Sequence, residues 1–130
     1  MHITLVYAAI LALFFVGLSL RTLRLRRRLR IPVGDGGNQA MLRAMRVHAN
    51  FAEYVPITLL LLFFVEATGA GSLFMHTLGV CTVAGRVVHA IGVSRVRENY
   101  AYRVTGMVLT LGPIIAAAMR LLGVAAMAGF

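Results

Sequence analysis

The feature that most constrains this chain is the stretch of residues 3–20, almost unbroken apolar sequence without a single charge. As a helix it is long enough to cross a hydrocarbon core of about 30 Å, where every backbone N–H and C=O must be satisfied within the segment. Directly after it come Arg21, Arg24, Arg26, Arg27, Arg28 and Arg30. A cleaved signal peptide carries its positive charge before the apolar region. Here the charge follows, so the segment reads as a retained first span. Its arginines hold the next loop in the cytoplasm and leave the N-terminus outside.

The same pattern continues along the chain. Pro32 and residues 34–38 break the helix, and Asp35 or Asn38 is placed to cap the next one. The second span covers about residues 41–67, with Glu66 at its outer, interfacial end, and a glycine-rich turn follows. The third covers 73–93, its inner end marked by Arg86, His89, Arg95 and Arg97, and the fourth covers 102–122, containing Pro113 and ending near Arg120. Nearly all the arginines fall in inner loops. The expectation is an all-α membrane protein: one domain over residues 1–130, a four-transmembrane-helix bundle with both termini outside.

Composition agrees. A chain of 130 residues that is 60% hydrophobic is too apolar for a soluble domain. Its 13 basic residues, all arginine, face 4 acids for a net charge of +9. Such a balance can signal nucleic acid, but these arginines flank apolar runs, where they set topology and attract anionic membrane lipids. No nucleic-acid partner is expected. Cys81 stands alone in an apolar segment and reads as packing, and the histidines lack zinc spacing, so no metal is expected.

Polar residues at fixed spacing open the second span: Arg43, Arg46, Asn50 and Glu53 lie 3, 4 and 3 apart, with Tyr54 at the edge of their face. A row of charge leading into a span is costly unless it meets a cavity, a partner helix or a ligand. The antiparallel layout brings Arg86, His89 and Arg103 to the same cytoplasmic half. His48 points away from that face and reads as interfacial. Mixed charge of this kind fits a zwitterionic or anionic ligand, since arginine's fork matches a carboxylate and a carboxylate receives an ammonium. An Arg46–Glu53 ion pair and an interhelical hydrogen bond from Asn50 would serve the same residues structurally. Arg86 and His89 are equally suited to packing or to a hydrogen bond with the second helix.

The pattern Arg46-x-x-x-Asn50-x-x-Glu53-Tyr54-x-Pro56 opening a second span resembles the MAPEG family, the membrane-associated proteins of eicosanoid and glutathione metabolism, and most of all its small bacterial members. The resemblance covers nearly the whole chain. It implies glutathione as co-substrate, held by Arg46, Asn50, Glu53, Tyr54 and His89, with Arg24 or Arg27 reaching it from the first helix. It makes Arg103 the catalytic residue that stabilises the thiolate. It also implies a homotrimer in the bacterial inner membrane, with cytoplasm-facing sites between subunits, and Gly79, Gly85 and Gly106 permit close helix approach. The activity implied is glutathione transfer to a lipophilic electrophile, or reduction of a lipid hydroperoxide. The chain departs from better-known members at Met107, where they have tyrosine, and from some members at Val93, where those have tyrosine, and at Val104, where those have serine. The alternatives are a non-catalytic binding or structural protein of the same fold and, disfavoured by the uncharged first helix, a small multidrug exporter.

Overall fold

The computed structural model describes residues 2–95 and 99–129, so Arg97 of the expected inner loop lies outside the described residues. Four helices account for nearly all of them: α1 (Ile3–Leu29), α2 (Gln39–Ala67), α3 (Ser72–Ser94) and α4 (Tyr100–Met127). Each is long and apolar enough to cross a membrane, and no strand occurs among the described residues. The helices outrun the apolar runs. α1 continues through the arginines and stops only where Arg30 turns left-handed (φ 55°), with the Arg30 and Ile31 N–H groups closing on carbonyls of the last turn. Arg26, Arg27 and Arg28 lie there, where cations complement the helix dipole.

Asn38, not Asp35, caps α2, its Oδ1 accepting from Met41 N at 3.1 Å, and Asn99 caps α4 through Ala101 N at 3.0 Å. Pro56 and Pro113 sit inside their helices without ending them. Beside Pro56, the Thr58 hydroxyl donates to Tyr54 O at 2.8 Å. The carbonyl that Pro56 leaves without its N–H partner is that of Ala52, so this contact is the ordinary back-bond of a helical threonine.

Successive helices run antiparallel, giving the bundle an arginine-rich end and a far end. α3 packs most extensively on α4 and also on α1 and α2, while α1 and α4 do not meet among the described residues. Glycines make this packing close. A Cβ on Gly106 would lie 2.6 Å from His89 N, and one on Gly85 would lie 2.9 Å from Thr110 Oγ1 and 3.0 Å from Gly106 O. Gly79 lies against the Tyr7 ring. The small residues that the sequence offers for contact between subunits are therefore consumed within the chain. In lipid that is the expected use, because apolar side chains gain little by leaving lipid tails for one another and backbone proximity supplies the packing.

Two apolar clusters result. Leu11, Leu18, Val47, Phe51, Val55, Ala90 and Val93 join α1, α2 and α3, while Leu62, Val65, Met75, Leu78 and Ala117 join α2, α3 and α4 towards the far end. Polar contacts close the seams. At the far end both oxygens of Glu66 accept from the first N–H groups of α1, Ile3 and Thr4, at 2.9 Å each. A carboxylate there satisfies donors that a helix start otherwise leaves open. His48 is not interfacial. Its Nε2 lies 3.0 Å from Ser19 Oγ and its ring stacks on Phe15, because the face opposite Asn50 is the one that packs on α1.

Candidate functional site

A cleft of about 200 Å³ opens at the arginine-rich end, and three helices build it. α2 supplies Gln39, Arg43, Arg46 and Asn50, α3 supplies His89 and Val93, and α4 supplies Arg103. Arginines from two parallel helices thus reach one concavity, because α4 starts at the end where α2 also starts. Arg43 additionally donates from Nη1 to Val93 O at 3.2 Å, tying the mouth of α2 to the last turn of α3.

The floor is set by Arg86, the largest fully buried side chain of the described residues at 2% exposed. It lies about 12 Å inside the end of α3, at 1.5 Å per residue over the turns to Ser94. Its Nη1 donates to Asn50 Oδ1 at 2.7 Å, its Nε to Thr110 Oγ1 at 3.0 Å, and its Nη2 also reaches Thr110 Oγ1. The guanidinium carbon stands 5.7 Å from the centre of the Tyr54 ring, and Met107 Sδ is 3.8 Å from Nη2. Among the described residues no carboxylate pairs with this buried cation. It is held by neutral acceptors and an aromatic face, which satisfy the donors yet leave a net positive charge beside the cleft. Thr110 in turn donates to Gly106 O at 2.8 Å, so one hydroxyl serves helix and guanidinium together.

The geometry sorts the residues expected from the sequence. Arg46, Asn50, His89 and Arg103 line the one cleft. Tyr54 is half-buried one turn deeper and joins through Arg86. Glu53 is exposed and does not line the cleft. The reason is register: at about 100° per residue, Asn50 and Tyr54 fall within about 20° of the line through Arg43, whereas Arg46 and Glu53 are rotated by about 60–80°. Tyr54 is therefore central to the polar face and Glu53 is its edge, the reverse of the reading from spacing alone. Neither Arg46 nor Glu53 is buried, so the chain forms no buried ion pair from them.

Arg24 and Arg27 are exposed near the end of α1 and line no part of the cleft. Within one chain the first-helix arginines with partners are others: Arg21 donates to Ser94 Oγ at 2.7 Å, and Arg26 to Gly34 O at 2.9 Å. Arg86 is the buried residue beside the cleft to which the sequence reading gave too little weight. Its signal was present, an arginine in the middle of an apolar run with no neighbouring acid.

With this geometry in hand, comparison with known proteins is informative. Residues 4–123 match the model of the MAPEG family. The chain is also 36% identical over 104 residues to the inner membrane protein YecN of Escherichia coli, in strains K12 and O6:H1, over 80% of this chain and 78% of that protein. A four-helix bundle with its polar groups gathered in one half, the family match over nearly the full length and this likeness agree, and the chain belongs to the MAPEG family.

Proposed function

We propose that the protein is a glutathione-binding protein of the bacterial inner membrane that activates the glutathione thiolate against lipophilic acceptors. The observation that carries this is the convergence of Arg46, Asn50, His89 and Arg103 from three helices on one cleft, underlain by the buried cation Arg86. Glutathione bears two carboxylates, an ammonium and a thiol. Arginine forks suit the carboxylates, the Asn50 amide a peptide group, and Glu53 the ammonium. Arg103 at the mouth of α4 stands beside the sulfur and favours its charged form, the nucleophile. The thiol proton leaves to solvent, and the sulfur attacks an acceptor arriving from the bilayer. At an electrophilic carbon it adds across an activated double bond, which then takes up a proton, or expels an anionic leaving group. At a hydroperoxide it breaks the O–O bond, releasing the alcohol and a glutathione sulfenic acid that a second glutathione converts to the disulfide and water. The arginine-rich end faces the cytoplasm, as loop charge favours.

The site is completed between subunits of a homotrimer. A cleft of about 200 Å³ is small beside the roughly 300–1,000 Å³ of most ligand pockets. Glu53 is an exposed carboxylate on a helix apolar enough to lie in lipid, a costly placement unless another subunit covers it. A neighbour would also bring its exposed Arg24 or Arg27 within reach.

A second reading, a binder without turnover, draws support from Val93, an apolar side chain lining the cleft where some members of the family carry tyrosine. One experiment separates the two. A free thiol of pKa about 8.5 is only a few per cent ionised at neutral pH, and shifting it to about 6.5 takes about 2.7 kcal/mol. Arg103 is exposed in the single chain, so this stabilisation requires that the bound ligand and a neighbouring subunit shield it from water. Adding glutathione to wild type near pH 7 should give the ultraviolet absorbance of thiolate, and Arg103→Leu should abolish it while binding persists. Binding without that absorbance in wild type would leave the binder. Absence of binding by calorimetry would remove both.

A further inference from the structure

At the far end of the bundle, away from the cleft, a second cation sits without a counter-charge among the described residues. Arg120 lies on α4 near its C-terminal end, half-buried, and its Nε–H is buried with no hydrogen-bond partner among the described residues. The guanidinium carbon is 5.9 Å from the centre of the Phe74 ring. No acid lines its surroundings, and Glu66, the acid on the neighbouring end of α2, has both oxygens engaged by the start of α1. Burying part of a guanidinium without a counter-charge is unfavourable unless something beyond the described residues balances it.

The surroundings indicate what that is. Arg120 opens into a groove of about 850 Å³ between the α2–α3 turn and the last turns of α4, walled by Thr68, Phe74, Gly123, Val124 and Met127. Its walls are mainly apolar, with one cation and one hydroxyl at the level where the helices end. We propose that this groove binds a membrane phospholipid, its phosphate on Arg120 and Thr68 and an acyl chain along the face of α4 left open by Gly123. The guanidinium fork matches a phosphate in two-point geometry, and helix ends lie at the depth where a bilayer presents phosphates. The site is distinct from the glutathione cleft, being at the opposite end of the bundle, and does not rest on that reading.

The test uses full-length protein in mild detergent, freed of co-purified lipid and titrated with phosphatidylglycerol. Native mass spectrometry counts bound lipid, with parallel arms of diacylglycerol and inorganic phosphate. Wild type should bind phosphatidylglycerol about tenfold or more tightly than diacylglycerol, the loss expected when one charge-assisted contact is removed. Arg120→Gln should lose that preference and Arg120→Lys retain most of it. Gly123→Phe is the independent variant, because a Cβ at Gly123 meets nothing within 4 Å and a large side chain there fills the groove without disturbing the fold. It should bind lipid as weakly as Arg120→Gln, with Arg120 intact. Wild-type affinity in Gly123→Phe overturns the proposal, even if Arg120→Gln does not fold. Displacement of the lipid by millimolar inorganic phosphate makes this a free-anion site and overturns it too. Lack of lipid binding, together with a change of oligomer mass in Gly123→Phe, assigns the groove to a second copy of the chain and overturns it as well.

Discussion

Replacing Thr110 by valine keeps the shape of a fully buried side chain and deletes one oxygen. That oxygen accepts from both Nε and Nη2 of Arg86, a guanidinium only 2% exposed. A hydrogen bond to a charged group contributes about 1.5–3 kcal/mol, and the two donors share one acceptor, so the expected loss is about 3 kcal/mol rather than twice that. Thr82→Val supplies the control. Thr82 is equally buried at 1%, but its hydroxyl donates only to Leu78 O of its own helix, at 2.8 Å. Losing such a back-bond costs at most about 1 kcal/mol. In thermal unfolding in detergent, Thr110→Val should lower the midpoint by about 10 °C and Thr82→Val by no more than about 3 °C. Because Arg86 also holds Asn50 through the 2.7 Å bond, glutathione affinity should fall in Thr110→Val and not in Thr82→Val. Equal destabilisation by the two variants would refute the reasoning, since it would mean that the guanidinium recovers its lost partner from cleft water through Asn50.

Two further outcomes follow from the packing and the caps. Gly106→Ala places a Cβ 2.6 Å from His89 N, so overpacking of about 1–3 kcal/mol should outweigh a propensity gain of about 1 kcal/mol, whereas Gly112→Ala meets open space and should stabilise; unfolding midpoints should move in opposite directions. Glu66→Gln loses the charge and one of the two oxygens that accept from Ile3 and Thr4, which should cost about 1 kcal/mol. Faster amide exchange at those two residues, with Arg43 and Arg46 unaffected, checks it.

The sequence by itself determined the elements. Residues 3–20 could be little else than a membrane-crossing helix, and glycine and proline between apolar runs placed the first break, with Asp35 and Asn38 as cap candidates of which the structure uses Asn38. The antiparallel order, and with it the convergence of Arg46, Asn50, His89 and Arg103, follows from counting helices joined by short connections. Family membership was equally legible, because polar residues at fixed spacing inside a span are rare. Tertiary structure alone decided rotation and pairing. Spacings of 3 and 4 define a face broad enough to include both Glu53 and Tyr54, and only the contact of Tyr54 with Arg86 fixes which one turns inward. Arg86 could have been a lipid-anchoring charge. Gly106 and Gly85 bring α4 close enough for Thr110 to meet its guanidinium, and that approach is a property of two helices, which no pattern along one of them records. The same reason hid Arg120: a cation lacks a partner only in relation to what packs around it.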